Sequence, residues 1–141
     1  MALIKDSLGK NSLGVQRLAV ASGRATQEAL GAAADEVVMF DLPAGTVITA
    51  LYSVVTEVFD GTTPLLGVST YNMDGTLAAA GVLDAAVDGA TLGITVAPVT
   101  ADPTTAPIYV TVRNTVADST EGVAEVYIEY FVEGRSDENT G

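Results

Sequence analysis

Residues 37–61 read VVMFDLPAGTVITALYSVVTEVFDG, and their pattern predicts two consecutive β-strands. The first six residues alternate with the two-residue period of a half-buried β-strand, and Pro43 and Gly45 then supply turn residues. Residues 46–59 contain no proline or glycine and are rich in β-branched and aromatic side chains, so they predict a second strand. Fourteen extended residues would span about 46 Å. This length predicts a bend or a β-bulge within the strand.

Both faces of this long predicted strand are apolar. We expect its even-numbered face to line the core, with Ile48, Ala50, Tyr52, Val54 and Val58. The odd-numbered face is nearly as apolar, with Val47, Leu51, Val55 and Phe59. A sandwich strand needs only one buried face. We therefore predict a subunit interface on the odd face and on the charged face of the last strand, formed by Leu51, Val55, Phe59, Tyr127 and Phe131.

The rest of the chain contains further short strands separated by turn signals. Asp-Gly pairs at residues 60–61, 74–75 and 88–89 mark turns. The other predicted strands are residues 15–22 (ended by Gly23), 65–71, 91–97, 108–114 and 123–133. For residues 25–34 the sequence allows a helix, a loop or a second strand of the arm. For residues 77–87 it allows a short helix or a loop crossing between sheets.

Seven or eight strands without a long helix predict an all-β protein. Two antiparallel sheets packed face to face bury the apolar faces of such an array, so we predict an antiparallel β-sandwich of jelly-roll type. An immunoglobulin-like strand order is the alternative.

Charge divides the chain into a basic front and an acidic body. Residues 1–24 hold four basic residues and one acid, a net charge of +3, and residues 1–14 are rich in Gly and Ser. Residues 25–141 hold two basic residues and seventeen acids, a net charge of −15. We therefore predict a basic extended N-terminal arm (residues 1–24), a β-sandwich domain (25–134) and a flexible polar tail (135–141).

The composition disfavours an enzyme and a metal site. The chain has no His and no Cys, which removes the common nucleophile–base pairs and most transition-metal ligands. Glu125, Glu129 and Glu133 share one strand face, but neighbours on that face lie about 13 Å apart, too far for a glycosidase pair. The Asp-Gly turns do not match a calcium-loop spacing, and no glycine-rich phosphate loop occurs. We predict no catalytic residue, metal or cofactor.

The acidic body also disfavours two classes of partner. A net charge of −12 for the whole chain repels nucleic acid and anionic membrane surfaces. Asp, Gly or Pro interrupts the longest apolar runs, so no segment is suited to cross a membrane as a helix. We expect neither nucleic acid nor membrane as a partner.

Two segments resemble the small β-sandwich decoration, or cement, proteins of tailed-phage capsids. These are VVMFDLPAGTVITALYSVVTEVFDGT (residues 37–62) and the closing VYIEYFVEG (residues 126–134). Members of that family often combine an apolar strand, an LPAGT-like turn and a long Val/Thr-rich strand that ends in Phe-Asp-Gly. The resemblance implies a non-enzymatic virion protein on the outer capsid surface, a homotrimer that bridges neighbouring subunits of the major capsid protein.

The resemblance also implies a role for the basic arm, because such arms commonly reach over the capsid lattice. The predicted capsid-contact residues are Leu3, Ile4, Lys5, Leu8, Lys10, Leu13 and Arg17. Two other functions stay open. One is a carbohydrate-binding or host-recognition sandwich that stacks ligands on Tyr109, Tyr127 and Phe131, and the other is a tail or head-completion protein of the virion.

Overall fold

The computed structural model describes residues 18–31, 35–115 and 119–133. The elements in this part of the chain are β1 (Ala19–Thr26), α1 (Gln27–Leu30), β2 (Val37–Leu42), β3 (Thr46–Glu57), β4 (Leu65–Asn72), β5 (Leu77–Asp88), β6 (Gly93–Pro98), β7 (Ile108–Asn114) and β8 (Val123–Val132). The prediction of an all-β protein is confirmed. The ambiguous residues 77–87 belong to a strand, and residues 25–31 form the end of β1, the four-residue helix and its glycine cap.

The strands form two four-stranded antiparallel sheets. Sheet A has the order β1-β8-β3-β6, and sheet B has the order β2-β7-β4-β5. Strand β1 pairs with β8, β2 with β7, β3 with β6 and β4 with β5. This nested antiparallel pairing is that of one long hairpin wound into two sheets. Each of these pairs lies wholly within one sheet, which is the winding of a jelly roll. The predicted jelly-roll sandwich is therefore confirmed, and the immunoglobulin-like order is not found.

The core lies between the inner faces of the two sheets and is largely aliphatic. Its largest fully buried apolar side chains are Phe59, Leu30, Leu42, Leu51, Leu66, Ile128, Val68, Val87, Val110, Val112 and Val126. Burying one such side chain stabilises the fold by about 1.5–3 kcal/mol. Strands β7 and β8 contribute alternate residues to this core, as their sequence alternation predicts.

A β-bulge in β3 reverses the face that this strand presents to the core. Its register on β8 shifts between Ile48 and Ala50, which leaves Thr49 as an extra residue. Before the bulge Ile48 points inward, and after it Leu51 does so. The predicted bulge is confirmed, but the prediction of an even-numbered core face holds only for Ile48. One extra residue inverts the alternation that follows, so Ala50, Tyr52 and Val54 are not in the core. Val58 lies beyond a second register shift, between Val55 and Glu57, and is also outside the core.

The same bulge overturns part of the predicted subunit interface. Leu51, Val55 and Phe59 are buried in the core of a single chain, so they cannot contact another copy without unfolding. The prediction that these three residues form an interface is wrong. Tyr127 and Phe131 lie on the outer face of sheet A and are half-buried.

Strand β1 occupies residues that the charge pattern places in the arm. It pairs with β8 from Ala19 to Thr26, so residues 19–24 belong to the sandwich. The sequence predicts that the first strand ends at Gly23, but this glycine lies inside β1. A Cβ atom at Gly23 would lie only 2.8 Å from Met39 Cβ, so glycine permits a close approach to β2. Residues 1–17 and the predicted tail 135–141 lie outside the described residues.

A buried amide pair fastens α1 to sheet B. Asn114 Nδ2 donates a hydrogen bond of 2.6 Å to Gln27 Oε1, and Gln27 Nε2 donates to the Gly31 carbonyl oxygen at 3.1 Å. The Thr26 hydroxyl caps the helix by accepting from Ala29 N at 3.2 Å. These bonds hold Leu30 in the core and satisfy polar groups that would otherwise be buried unpaired.

Ser53 on β3 is a polar exception within this core. Its hydroxyl is buried and has no hydrogen-bond partner among the described residues. We expect Ser53→Ala to raise the free energy of unfolding by about 1 kcal/mol, because an unsatisfied buried hydroxyl costs about 1–3 kcal/mol. Ser119→Ala is the matched control, since the Ser119 hydroxyl is also buried but donates to the Asp60 carbonyl oxygen.

Urea unfolding of the two variants checks this prediction. Ser119→Ala should lower the free energy of unfolding by about 1 kcal/mol, while Ser53→Ala raises it. A loss of stability in Ser53→Ala as large as that in Ser119→Ala would contradict the assignment of an unsatisfied hydroxyl.

Candidate interaction surface

The outer face of sheet A presents three rows of side chains that run across its four strands in the order β1, β8, β3 and β6. The strand registers give the rows Val20–Glu129–Ala50–Pro98, Ser22–Tyr127–Tyr52–Val96 and Arg24–Glu125–Val54–Ile94. The charged residues of these rows, Arg24, Glu125 and Glu129, all lie on β1 and β8, and the rows are uncharged toward β3 and β6. The face therefore divides into two halves of different chemistry.

The β1–β8 half is a hydrogen-bonded polar surface. The Tyr127 hydroxyl donates to a Glu125 carboxylate oxygen, and this bond raises the pKa of Tyr127. The Thr49 hydroxyl donates to Glu129 Oε1 at 2.8 Å. Because both carboxylates have partners at neighbouring positions, this half is typical of a solvated strand face rather than an acid–base site.

The β3–β6 half is apolar and open to solvent. Ile94 is 68% exposed and Val96 is 56% exposed, and they lie beside the half-buried Val54 and Tyr52. We call these four residues the β6 strip. The predicted contact residues do not include this strip, although residues 89–101 contain no charged residue in an otherwise acidic chain. That gap in the charge pattern is the signal that could have located it.

The outer face of sheet B carries one compact polar cluster around Glu36. Its carboxylate accepts hydrogen bonds from the Thr111 hydroxyl at 2.7 Å and from the Tyr71 hydroxyl at 3.3 Å, and it lies 3.7 Å from Arg113 Nη1. Burial raises the pKa of Tyr71, and the Glu36 charge adds to this effect. The cluster pairs one acid with one base and contains no second carboxylate, so it fits a role in stability rather than in catalysis.

The Asp60 side chain joins two loops at one end of the sandwich. Its carboxylate accepts from Thr120 N at 2.5 Å, from the Thr120 hydroxyl at 2.6 Å and from Glu121 N at 2.9 Å. The hydrogen bond from the Thr120 hydroxyl is the largest of the effects that lower the pKa of Asp60 from 3.8 to about 2. Asp60 therefore anchors the loop before β8 to the loop after β3.

This anchor predicts an acid-sensitive stability. Because the pKa of Asp60 is lowered from 3.8 to about 2 in the folded protein, its charge stabilises the fold fully above 3.8, and the contribution disappears as the pH falls through about 2. We expect Asp60→Asn to be less stable than wild type at neutral pH and equally stable only below about pH 2. Urea unfolding across this pH range measures both curves.

Asp102→Asn, in the loop between β6 and β7, makes the same change in net charge and is the control. A gap between wild type and Asp60→Asn that stays constant down to about pH 2 would contradict the anchoring role of the carboxylate.

A shallow groove lies between β5 and the loop that follows β6. The groove contains two cavities, with volumes of about 610 and 220 Å³. The larger is lined by Ala79, Ala80, Thr100, Ala101 and Asp102. One carboxylate among alanines supplies no nucleophile–base pair, so the groove lacks the convergent polar groups of an active site.

Three predictions concern metal binding, membrane crossing and the capsid-contact arm. No group of three or more Asp and Glu side chains that could hold a metal ion occurs in residues 18–31, 35–115 and 119–133. No helix in this part of the chain is long and apolar enough to cross a membrane. The predicted arm contacts Leu3, Ile4, Lys5, Leu8, Lys10, Leu13 and Arg17 lie outside the described residues.

The strand arrangement matches solved structures of phage capsids. The capsid asymmetric unit of cyanophage Pam1 matches with a TM-score of 0.61 and 16% identity, over 94% of this chain and 92% of that chain. The capsid of Ralstonia phage GP4 gives a TM-score of 0.61 and 16% identity, over 84% and 85%. The fold is a jelly roll that is similar to those in these capsid structures. No sequence-family profile and no curated protein matches the chain.

Two further structures extend this comparison. The capsid of Helicobacter pylori bacteriophage KHP30 matches with a TM-score of 0.53 and 18% identity, over 84% of this chain and 94% of that chain. The VP2 subviral particle of infectious bursal disease virus gives a TM-score of 0.56 and 16% identity, over 89% of this chain but 34% of that chain. At these identities the likeness shows the fold alone.

Proposed function

We propose that this protein is a non-enzymatic structural component of a phage virion that binds the outer surface of the capsid and stabilises it. The observation that carries this proposal is the match to the Pam1 capsid structure, which covers more than nine-tenths of both chains. The matched capsid chain is thus a protein of similar size. By contrast, this jelly roll corresponds to only about a third of the VP2 chain.

The described surfaces support binding rather than catalysis. The carboxylates of Glu36, Asp60, Glu125 and Glu129 accept hydrogen bonds from neighbouring side chains or main-chain amides, which favours a structural role for them. The chain also lacks the His and Cys residues that activate most nucleophiles. A structural role needs surface area and stability, and the jelly roll supplies both.

In this proposal the sandwich and the arm act together. Residues 1–17 hold Lys5, Lys10 and Arg17 against one acid, and they contact the major capsid protein while the acidic sandwich faces solvent. Binding to the assembled shell but not to free subunits stabilises the shell by mass action, by about 2.7 kcal/mol at a hundredfold excess over the dissociation constant. A homotrimer would present three arms to neighbouring capsid subunits and so increase the avidity of the contact.

Co-sedimentation with undecorated capsids tests the arm. We expect the full chain to pellet with capsids and a variant without residues 1–14 to stay in the supernatant. In the full chain, the double substitution Lys5→Glu and Lys10→Glu should weaken binding by roughly tenfold or more, because two attractive charges become repulsive.

The matched control replaces the same two lysines with arginine, which keeps the charge and should keep the binding. Undiminished binding of both the deletion and the charge-reversal variants would refute the arm contact. A full chain that never pellets with capsids would refute the proposed function itself.

A further inference from the structure

The four sheet edges of the sandwich differ in how they are protected against pairing with another chain. Natural proteins protect edge strands with charges, prolines or β-bulges. Strand β1 carries Arg24, and β2 carries Asp41 and a register shift between Val38 and Phe40. Strand β5 carries Asp84 and Asp88, and its pairing with β4 shifts at three places. Three edges therefore have recognisable protection.

Strand β6 is the exception. It has no charged residue, and its pairing with β3 runs without a register shift from Pro98 to Gly93. Proline protects only its last position. Its outward side chains, Ile94 and Val96, are the apolar part of the β6 strip and are more than half exposed. A regular, uncharged and apolar edge is a template for pairing with another strand.

We propose that β6 is a contact between two copies of this chain, paired antiparallel about a two-fold axis with Thr95 opposite Thr95. In that register Ile94 lies opposite Val96 of the second copy, and Gly93 lies opposite Ala97. The pairing forms two β-branched cross-strand pairs on the outer face of sheet A and joins two four-stranded sheets into one of eight strands. This inference goes beyond the proposed function, because the contact needs no shell.

The side-chain order of β6 favours a second copy as the occupant of this edge, because pairing about Thr95 sets each exposed Ile94 against a Val96 and leaves no charge at the contact. Residues 25–141 carry a net charge of −15, so two copies repel except where they meet through an uncharged surface. A basic partner would be recognised by carboxylates, and β6 offers none. The strip pairs with its own copy without burying a charge, and screening of the acidic bodies by salt should strengthen the contact.

A cysteine cross-link tests the register directly, because the full chain has no cysteine. Opposite residues in an antiparallel pair have Cα atoms about 4.5–5.5 Å apart, which fits a disulfide. We expect mild oxidation to convert Thr95→Cys into a covalent dimer at least roughly ten times faster than Ile94→Cys, whose thiol would face Val96. The control is Val20→Cys on β1, at the opposite edge, where the wild-type residue is 62% exposed.

Sedimentation equilibrium of the full chain tests the contact without a cross-link. We expect the chain, or the proposed homotrimer as a unit, to associate in pairs that are tighter in high NaCl, and the dissociation constant of this pairing to be raised roughly 30-fold or more by Ile94→Lys but not by Val20→Lys. Circular dichroism confirms that each variant is folded. If Thr95→Cys cross-links no faster than Val20→Cys, or if Ile94→Lys assembles like wild type, the β6 contact is refuted.

The same variants separate this inference from the proposed function. Shell binding by a wild-type protein that does not pair through β6 would refute the β6 contact alone. If Thr95→Cys cross-links efficiently but the wild-type chain never binds shells, the proposed function alone is refuted.

Discussion

Leu51→Lys is expected to unfold the protein, whereas Ala50→Lys, at the adjacent position, is expected to leave it folded. Leu51 is fully buried after the bulge at Thr49, and Ala50 lies on the outer face beside Glu129. An unpaired charge in the core costs several kcal/mol, which is comparable to the whole stability of a typical domain, about 5–15 kcal/mol. Circular dichroism and urea unfolding of the two variants measure the difference.

This pair of variants also tests the bulge itself. Without the extra residue Thr49, the alternation along β3 would place Ala50 inside and Leu51 outside. An unfolded Ala50→Lys together with a folded Leu51→Lys would therefore contradict the face assignment. Equal stability of the two variants would contradict it as well.

Phe59→Ala should produce the second largest loss. The ring is 1% exposed and packs on glycine backbone, since a Cβ atom at Gly122 would lie 2.3 Å from Phe59 Cγ and one at Gly89 would lie 3.3 Å from Phe59 Cδ1. No side chain at these two glycines can move in to fill the space. We expect a loss of about 3–5 kcal/mol, or a fall in Tm of roughly 10–20 °C.

The matched control is Phe131→Ala on the outer face of sheet A, where the ring is only half-buried. It should cost less than about 1.5 kcal/mol, because its removal leaves no enclosed cavity. Calorimetry of both variants at one protein concentration gives the comparison. If Phe131→Ala lowers the free energy of unfolding as much as Phe59→Ala does, Phe59 does not lie in the core.

The fold class could be predicted from sequence because strand length, turn residues and the lack of a long helix all agree. The Asp-Gly turns, the break at Pro43 and the alternation of β7 and β8 each specify local structure through short-range geometry. These features need no knowledge of tertiary contacts. A jelly roll then follows as the common way to bury eight such strands.

The face of β3 could not be predicted, because both of its faces are apolar. Hydrophobic alternation can choose a face only when one face is polar, and a single extra residue at Thr49 inverts the result. Length could predict that a bulge exists but not where it lies. The same limit explains the wrong interface assignment of Leu51, Val55 and Phe59.

Two other features depend on contacts that the sequence does not display. Gly23 looks like a strand end, but it permits β1 to pass close to Met39 on the opposite sheet. The exposure of Ile94 and Val96 depends on β6 being an edge strand, which only the strand order decides. A run of uncharged residues can suggest a contact surface, but it cannot distinguish an edge from a buried strand.

Electron cryo-microscopy of undecorated phage capsids, incubated with and without the full chain, is the most direct test of the proposed function. We expect added density on the outside of the shell, with the size of one jelly roll per copy, at the junctions between neighbouring capsid subunits. Identical maps with and without the protein, or density only at the tail or on the inner surface, would contradict it.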